Sequence, residues 1–183
     1  LPEIDRAECG RRVLFLGRLH RQKGIDLLVE AWVALENEFP DWELSIVGPL
    51  DPSFAEKMEQ IRLLASGRRV SFLPPVYGDE KYQFMASSDL FVMPSRSENF
   101  GLTAAEALMM EVPVVATKGT PWSGLVDVDA GWWIEPRAVA LEQSLREAML
   151  LPDAERRRKG RNGRRWIERD FSWSVIGKKG QRL

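Results

Sequence analysis

The chain has 183 residues, enough to bury a full core as one domain of the usual ~150 residues with a short tail. Its 26 basic and 27 acidic residues leave a net charge of −1, which argues against a general nucleic-acid binder. A single cysteine, Cys9, excludes a disulfide framework and fits a reducing compartment; one histidine beside it excludes a zinc site built from several such ligands.

No apolar run reaches the ~18 residues of a membrane span, and no signal peptide opens the chain. The first residue is Leu rather than Met, so the chain reads as a piece of a longer, cytoplasmic protein. Leu1–Arg12 is polar and reads as a linker. Six short apolar runs follow: Val13–Leu16, Leu44–Val47, Val70–Leu73, Leu90–Met93, Val112–Ala116 and Gly131–Ile134. Uninterrupted runs of this length suit strands buried on both faces of a parallel sheet.

Helical patterns separate these runs. Ile25, Leu28, Val29, Trp32, Leu35 and Phe39 share one helical face. Ser53–Ala65 opens with a capping box from Ser53 to Glu56. Asp79–Ala86, Thr103–Met110, Leu141–Leu150 and Ala154–Arg169 complete the set. Strand and helix in alternation specify a doubly wound, Rossmann-like α/β domain over residues 13–170, with about six parallel strands. Breakers such as Gly17, Gly48-Pro49, Pro74-Pro75, Gly78 and Pro94 sit just after strands, where this architecture binds ligands.

Two loops carry candidate chemistry. Gly17-Arg18-Leu19-His20-Arg21-Gln22-Lys23-Gly24 puts three basic residues between a strand end and a helix start, which suits a phosphate. A solvated loop with ordinary surface charge is the alternative, and His20 reads as solvated. The string matches neither the dinucleotide fingerprint nor the P-loop, so a nicotinamide oxidoreductase on this topology is excluded. In the second loop Glu98 stands before a helix and Glu106 inside its first turns. Thr103-x-x-Glu106 reads by pattern as a capping box, with ligand hydroxyls as the other partner open to Glu106. Glu98 could equally be a surface loop residue.

The pattern Glu98-x7-Glu106, in the context Ser-Glu-Asn-Phe-Gly-Leu-Thr-Ala-Ala-Glu-Ala, is followed by Val-Pro-Val-Val-Ala. Upstream stand Gly17-Arg18-Leu19, Lys23-Gly24, Ile46-Val47-Gly48 and Asp89–Ser95. Together, over about Arg12 to Trp173, these resemble the C-terminal half of group 1 (family four) retaining glycosyltransferases of the GT-B fold. The resemblance implies a donor-binding domain for a hexosyltransferase that uses a nucleotide sugar and no cofactor or metal. Arg18 and Lys23 would neutralise the diphosphate and, with Glu98, serve catalysis; the backbone at Gly101 and Leu102 would join the phosphate site. Glu98, Asn99, Phe100 and Gly101 would hold the sugar, and Glu106 the ribose. Pro75, Val76 and Tyr77 would lie against the base, with Lys81 nearby. Residues 171–183 would begin a segment crossing back to an N-terminal acceptor domain that this sequence lacks. The acceptor would be a glycan or lipid-linked, and the product a bacterial surface or storage polysaccharide. The family's Gly-rich stretch after the fifth strand is replaced here by Lys118-Gly119-Thr120-Pro121-Trp122-Ser123-Gly124, which leaves sugar identity open.

A different class fits the same loops: a non-catalytic sensor or scaffold that binds a nucleotide or phosphorylated ligand. Asp127-Val128-Asp129 matches a metal–diphosphate string of another glycosyltransferase fold but lies outside its context. The basic run Arg156–Arg165 reads as a solvated helical face near an acidic segment. The alternative is peripheral contact with anionic headgroups at the inner membrane face. Gly160 and Gly163 read as weakening that helix; of seven tryptophans, Trp32 reads as core and Trp122 and Trp132 as pocket-liners.

Overall fold

The computed structural model describes residues 11–171. The rest of the expected linker, 1–10, and positions 172–183 of the expected crossover lie outside the described residues. Six strands form one sheet: β1 (Arg11–Leu16), β2 (Trp42–Val47), β3 (Val70–Leu73), β4 (Leu90–Met93), β5 (Val114–Thr117) and β6 (Gly131–Ile134). Every pair is parallel and the order is β3-β2-β1-β4-β5-β6, the doubly wound sheet expected from the alternation.

Helices α1 (Ile25–Leu35), α2 (Ala55–Leu64), α3 (Gly78–Ala86), α4 (Leu102–Met109), α5 (Gly124–Asp127), α6 (Ala138–Leu150) and α7 (Asp153–Asp170) cover both faces. Successive strand side chains point to opposite faces. Val13, Phe15, Leu44, Ile46, Leu90 and Val92 therefore meet the helices α1, α2 and α6. Leu14, Val47, Phe91, Met93, Val114 and Ala116 meet α4, α5 and α7. Continuous apolar runs were needed because both faces are covered.

Several boundaries differ from expectation. Arg11 and Arg12, read as linker, already pair with Trp42 and Glu43 in the sheet. Ser53 makes no capping box: its amide and hydroxyl both donate to Asp51, at 3.0 and 2.6 Å, and α2 starts only at Ala55. The fifth strand starts at Val114, because Val112 is held by Ala107 at the end of α4 and Pro113 has no N–H for the ladder. The basic run is not a uniformly solvated face. Arg156 is buried, its guanidinium 4.9 Å from the Trp42 ring centroid, while Arg158 pairs with Asp129 at 2.7 Å. Arg157, Arg161 and Arg165 do stand exposed.

Gly160 and Gly163 form the surface of α7 that sits on α4. A Cβ on Gly160 would fall 1.8 Å from the Glu111 carbonyl oxygen, and one on Gly163 2.4 Å from Leu108 Cδ2. In an exposed helix Gly→Ala stabilises by about 1 kcal/mol. Here the overlap with backbone reverses the sign, and we expect Gly160→Ala to destabilise by about 1–3 kcal/mol. Urea unfolding of Gly160→Ala checks this; a midpoint at or above wild type would show that α7 does not pack this closely.

Candidate functional site

The strand order reverses between β1 and β4, so their carboxyl ends splay and leave a crevice. A solvent-open cleft with about 450 Å³ of empty space lies there. Gly17 and Lys23 line it from the β1 side, Ser95 and Glu98 from the β4 side, and Gly101, Leu102 and Thr103 close it with the start of α4.

The two loops are locked to each other. Gly24 has φ 67°, and a Cβ there would fall 2.0 Å from the Pro94 carbonyl oxygen, so glycine is required for both conformation and approach. The Arg96 amide donates to the Gln22 carbonyl at 2.7 Å. Its guanidinium makes a two-pronged bond to Asp26, at 2.8 and 2.7 Å, and donates to the Arg21 carbonyl at 2.9 Å. Burial pushes the Asp26 carboxyl up, but the Arg96 N–H donors and charge, with backbone amides, outweigh it and hold the group below its usual value. His20 is not merely solvated: its Nδ1 accepts from the Gln22 amide at 3.3 Å and caps the turn Arg21–Lys23.

This clamp sets Lys23 against Glu98, and the two form an ion pair within the cleft wall. The Glu98 amide donates to the Gly119 carbonyl at 2.8 Å, fixing the backbone under the side chain. Gly101, at φ 77°, starts α4 with no side-chain cap. The Ala104 amide donates to the Gly101 carbonyl at 3.0 Å, which leaves the Leu102 and Thr103 N–H groups open to an anion. The expected Thr103–Glu106 box is absent. Glu106 lies one turn beyond the cleft-lining Leu102 and Thr103, on the same face, and its Oε1 accepts from Lys81 Nζ at 2.6 Å and from the Tyr82 hydroxyl at 3.4 Å. Ser95 Oγ is buried in the cleft wall with no partner among the described residues.

Other expected residues are placed differently. Arg18 is mostly exposed on the rim, 3.5 Å from Asp51, and is not in the cleft wall. Asn99 and Phe100 are exposed at the mouth. Tyr77 is exposed, while Val76 packs against the core beside α3. Lys81 pairs with Glu106 at 2.6 Å. Trp122 does not line the cleft. It lies buried beneath it, its Nε1–H donating to the Phe100 carbonyl at 2.7 Å, in a ring cluster with Phe100, Trp166 and Phe171. Trp132 belongs to the core on the opposite face of the sheet, as does Trp32. Asp129 is engaged by Lys159 and Arg158, which hold its carboxyl below the usual value.

Sequence reasoning missed the Arg96–Asp26 clamp and the Lys81–Glu106 pair. The available signal for the clamp was an arginine directly after Pro94-Ser95, and a carboxylate in the first turn of α1 with no basic residue three or four positions further along the helix.

Residues 3–166 match the family of glycosyl transferases group 1. The chain belongs to this family. A D-inositol 3-phosphate glycosyltransferase from Salinispora tropica is 34% identical over 180 residues, which is 93% of this chain and 37% of that protein. The chain thus spans little more than a third of that relative's length. Sucrose-phosphate synthase from Thermosynechococcus elongatus superposes with a TM-score of 0.81 and 28% identity, over 94% of this chain and 44% of that one. The C-terminal domain of a group 1 family protein from Francisella tularensis superposes with a TM-score of 0.79 at 21% identity, over 89% and 87%. The fold is that of one half of a GT-B glycosyltransferase. Among the described residues, no helix is long and apolar enough to cross a membrane.

The clamp has a pH signature. A carboxyl held low in the native state contributes stability above its unfolded value, near pH ~4, and loses it as pH falls through the native value. Asp26→Asn is expected to lose about 1 kcal/mol at neutral pH, since the pair is partly exposed. Denaturant unfolding should show the gap to wild type narrowing from neutral pH towards pH ~3. A gap that stays constant across that range would mean the carboxylate charge is not what closes the loops.

Proposed function

We propose that this chain is the nucleotide-sugar donor-binding domain of a retaining glycosyltransferase that moves a hexose to a glycan or lipid-linked acceptor. The observation that carries the reading is the convergence of a cation, an uncapped helix start and the Glu98 carboxylate on one crevice at the strand-order switch, with a second carboxylate, Glu106, one turn further along α4. The diphosphate lies at the first turn of α4 beside Lys23, with Arg18 joining after it leaves Asp51. Glu98 and the Asn99–Leu102 backbone take the sugar hydroxyls. Glu106, one helical turn further on, takes the ribose, and Pro75–Tyr77 borders the base.

In the transfer step the bond from the anomeric carbon to the β-phosphate oxygen breaks. The nucleoside diphosphate leaves with the electron pair, and the acceptor hydroxyl oxygen bonds to the same carbon as its proton passes to the departing phosphate oxygen. Charge grows on the leaving phosphate, and Lys23 and the α4 amides stand where that charge develops. Because Lys23 also pairs with Glu98, arrival of the diphosphate draws the lysine towards phosphate and frees the carboxylate for the sugar. Lys23 and the helix start supply the compensating charge, so donor binding needs no divalent metal. A second Rossmann-like domain closes the crevice and brings the acceptor. Arg157, Arg161 and Arg165 are the residues that would meet an anionic membrane surface.

The two glutamates should separate in a binding experiment. A charge-assisted hydrogen bond is worth about 1.5–3 kcal/mol, or roughly ten- to a hundredfold in affinity. Glu106→Gln is expected to weaken a bare nucleoside diphosphate and the nucleotide sugar alike by that factor. Glu98→Gln should spare the bare diphosphate and weaken only the nucleotide sugar. Calorimetry on both variants, repeated with a chelator that should change nothing, tests this. Unchanged binding in both folded variants would favour the sensor or scaffold class.

A further inference from the structure

We infer that Lys81, steadied by Tyr82, is a positioning residue that fixes Glu106 for recognition of the ribose diol; this rests on the donor-site reading above. The two neighbours on α3 converge on a single oxygen of the carboxylate, Oε1, from Nζ at 2.6 Å and from the phenol at 3.4 Å. Among the described residues Oε2 receives no hydrogen bond from the protein. A carboxylate offers about four lone-pair sites on its two oxygens. Occupying one oxygen from one side sets the rotation of the group and leaves the other for ligand hydroxyls.

Lys81 is itself held. Its Nζ lies 4.8 Å from the Tyr82 ring centroid, and its side chain is 21% exposed against 24% for Glu106. The ammonium is thus flanked by the carboxylate on one side and the ring on the other, a geometry that keeps it in place. The pair also bridges α3 to α4. That matters for placement, because α3 follows the Pro75–Tyr77 segment and α4 starts at the cleft. One ion pair therefore sets the spacing between the residues proposed for the base and those proposed for the phosphates.

A tether between two helices would stabilise the fold without affecting which ligand hydroxyls are read. Hydroxyl discrimination separates the two roles. UDP, GDP and ADP are titrated against the full chain, and the tightest binder is compared with its 2′-deoxy and 3′-deoxy counterparts. Wild type is expected to prefer the ribonucleotide over at least one deoxy form by about tenfold. Glu106→Gln should abolish that preference. Lys81→Met should reduce it at least threefold while leaving affinity for the disfavoured deoxy form within twofold, and Lys81→Arg, which keeps the charge, should retain most of it. Loss of preference in Glu106→Gln with full preference in Lys81→Met would overturn the inference and leave the donor-site reading standing. No preference in wild type, or no binding of any of the three diphosphates, would remove the donor-site reading itself. Thermal melts of each variant identify any that fail to fold, and Lys81→Arg then decides the question: a full loss of preference despite retained charge and fold would also count against the inference.

Discussion

Everything at the cleft depends on how closely the loop after β1 approaches the loop after β4. The parallel sheet alone would leave the two strand ends splayed at the switch point. Gly24 permits the approach because it carries no Cβ where Pro94 presents its carbonyl. Arg96 then bonds Asp26 and the Arg21 carbonyl and locks the contact. Without that contact Lys23 and Glu98, 75 residues apart in sequence, would not share a wall. The helix start at Gly101 would face open solvent rather than a charged recess.

The charges at this recess are arranged in pairs: Lys23 answers Glu98, Lys81 answers Glu106, and Arg18 answers Asp51. None of them is deeply buried, so each is worth little to stability; the Lys23 and Arg18 pairs can re-form with a ligand at small cost, while Lys81 stays on Glu106. Arg96 and Asp26 are as exposed as these pairs but are held by a two-pronged bond, and the buried Glu36 carboxylate meets Arg68 and the Arg69 amide away from the cleft. The aromatic cluster under Phe100 adds a rigid floor, since the Trp122 indole holds the Phe100 carbonyl from below.

The fold was readable because strands buried on both faces are almost continuously apolar: Val13–Leu16 and Leu90–Met93 are so throughout, and Leu44–Val47 is interrupted only by Ser45. Helix starts were less readable. Ser53 and Thr103 both stand three residues before a glutamate, yet neither caps it: Asp51 takes Ser53, and α3 supplies the partner for Glu106. A local pattern cannot weigh a partner that arrives through sheet order. The same limit hid the clamp between Asp26 and Arg96, whose members lie on opposite sides of the switch point. Gly160 and Gly163 were read for helix propensity, whereas packing against α4 decides them. Trp122 looked like a pocket-liner because it sits in a loop after a strand, but its ring is drawn under the cleft by Trp166 and Phe171. Lys23, Glu98 and Gly101 were singled out because they stand in loops at strand carboxyl ends, where this architecture binds ligands, whereas a ribose role for Glu106, inside α4, came from the family resemblance alone.

On the proposed reading the crevice and the first turns of α4 together hold the whole donor, phosphates first. The most direct measurement is a crystal structure of this chain with a nucleotide sugar soaked or co-crystallised. Diphosphate oxygens are expected within hydrogen-bonding distance of Lys23 Nζ and of the Leu102 and Thr103 amides, with the ribose hydroxyls on Glu106 and the sugar beside Glu98. A donor seated away from the α4 start, with the Lys23–Glu98 pair unbroken and Glu106 untouched, would contradict it.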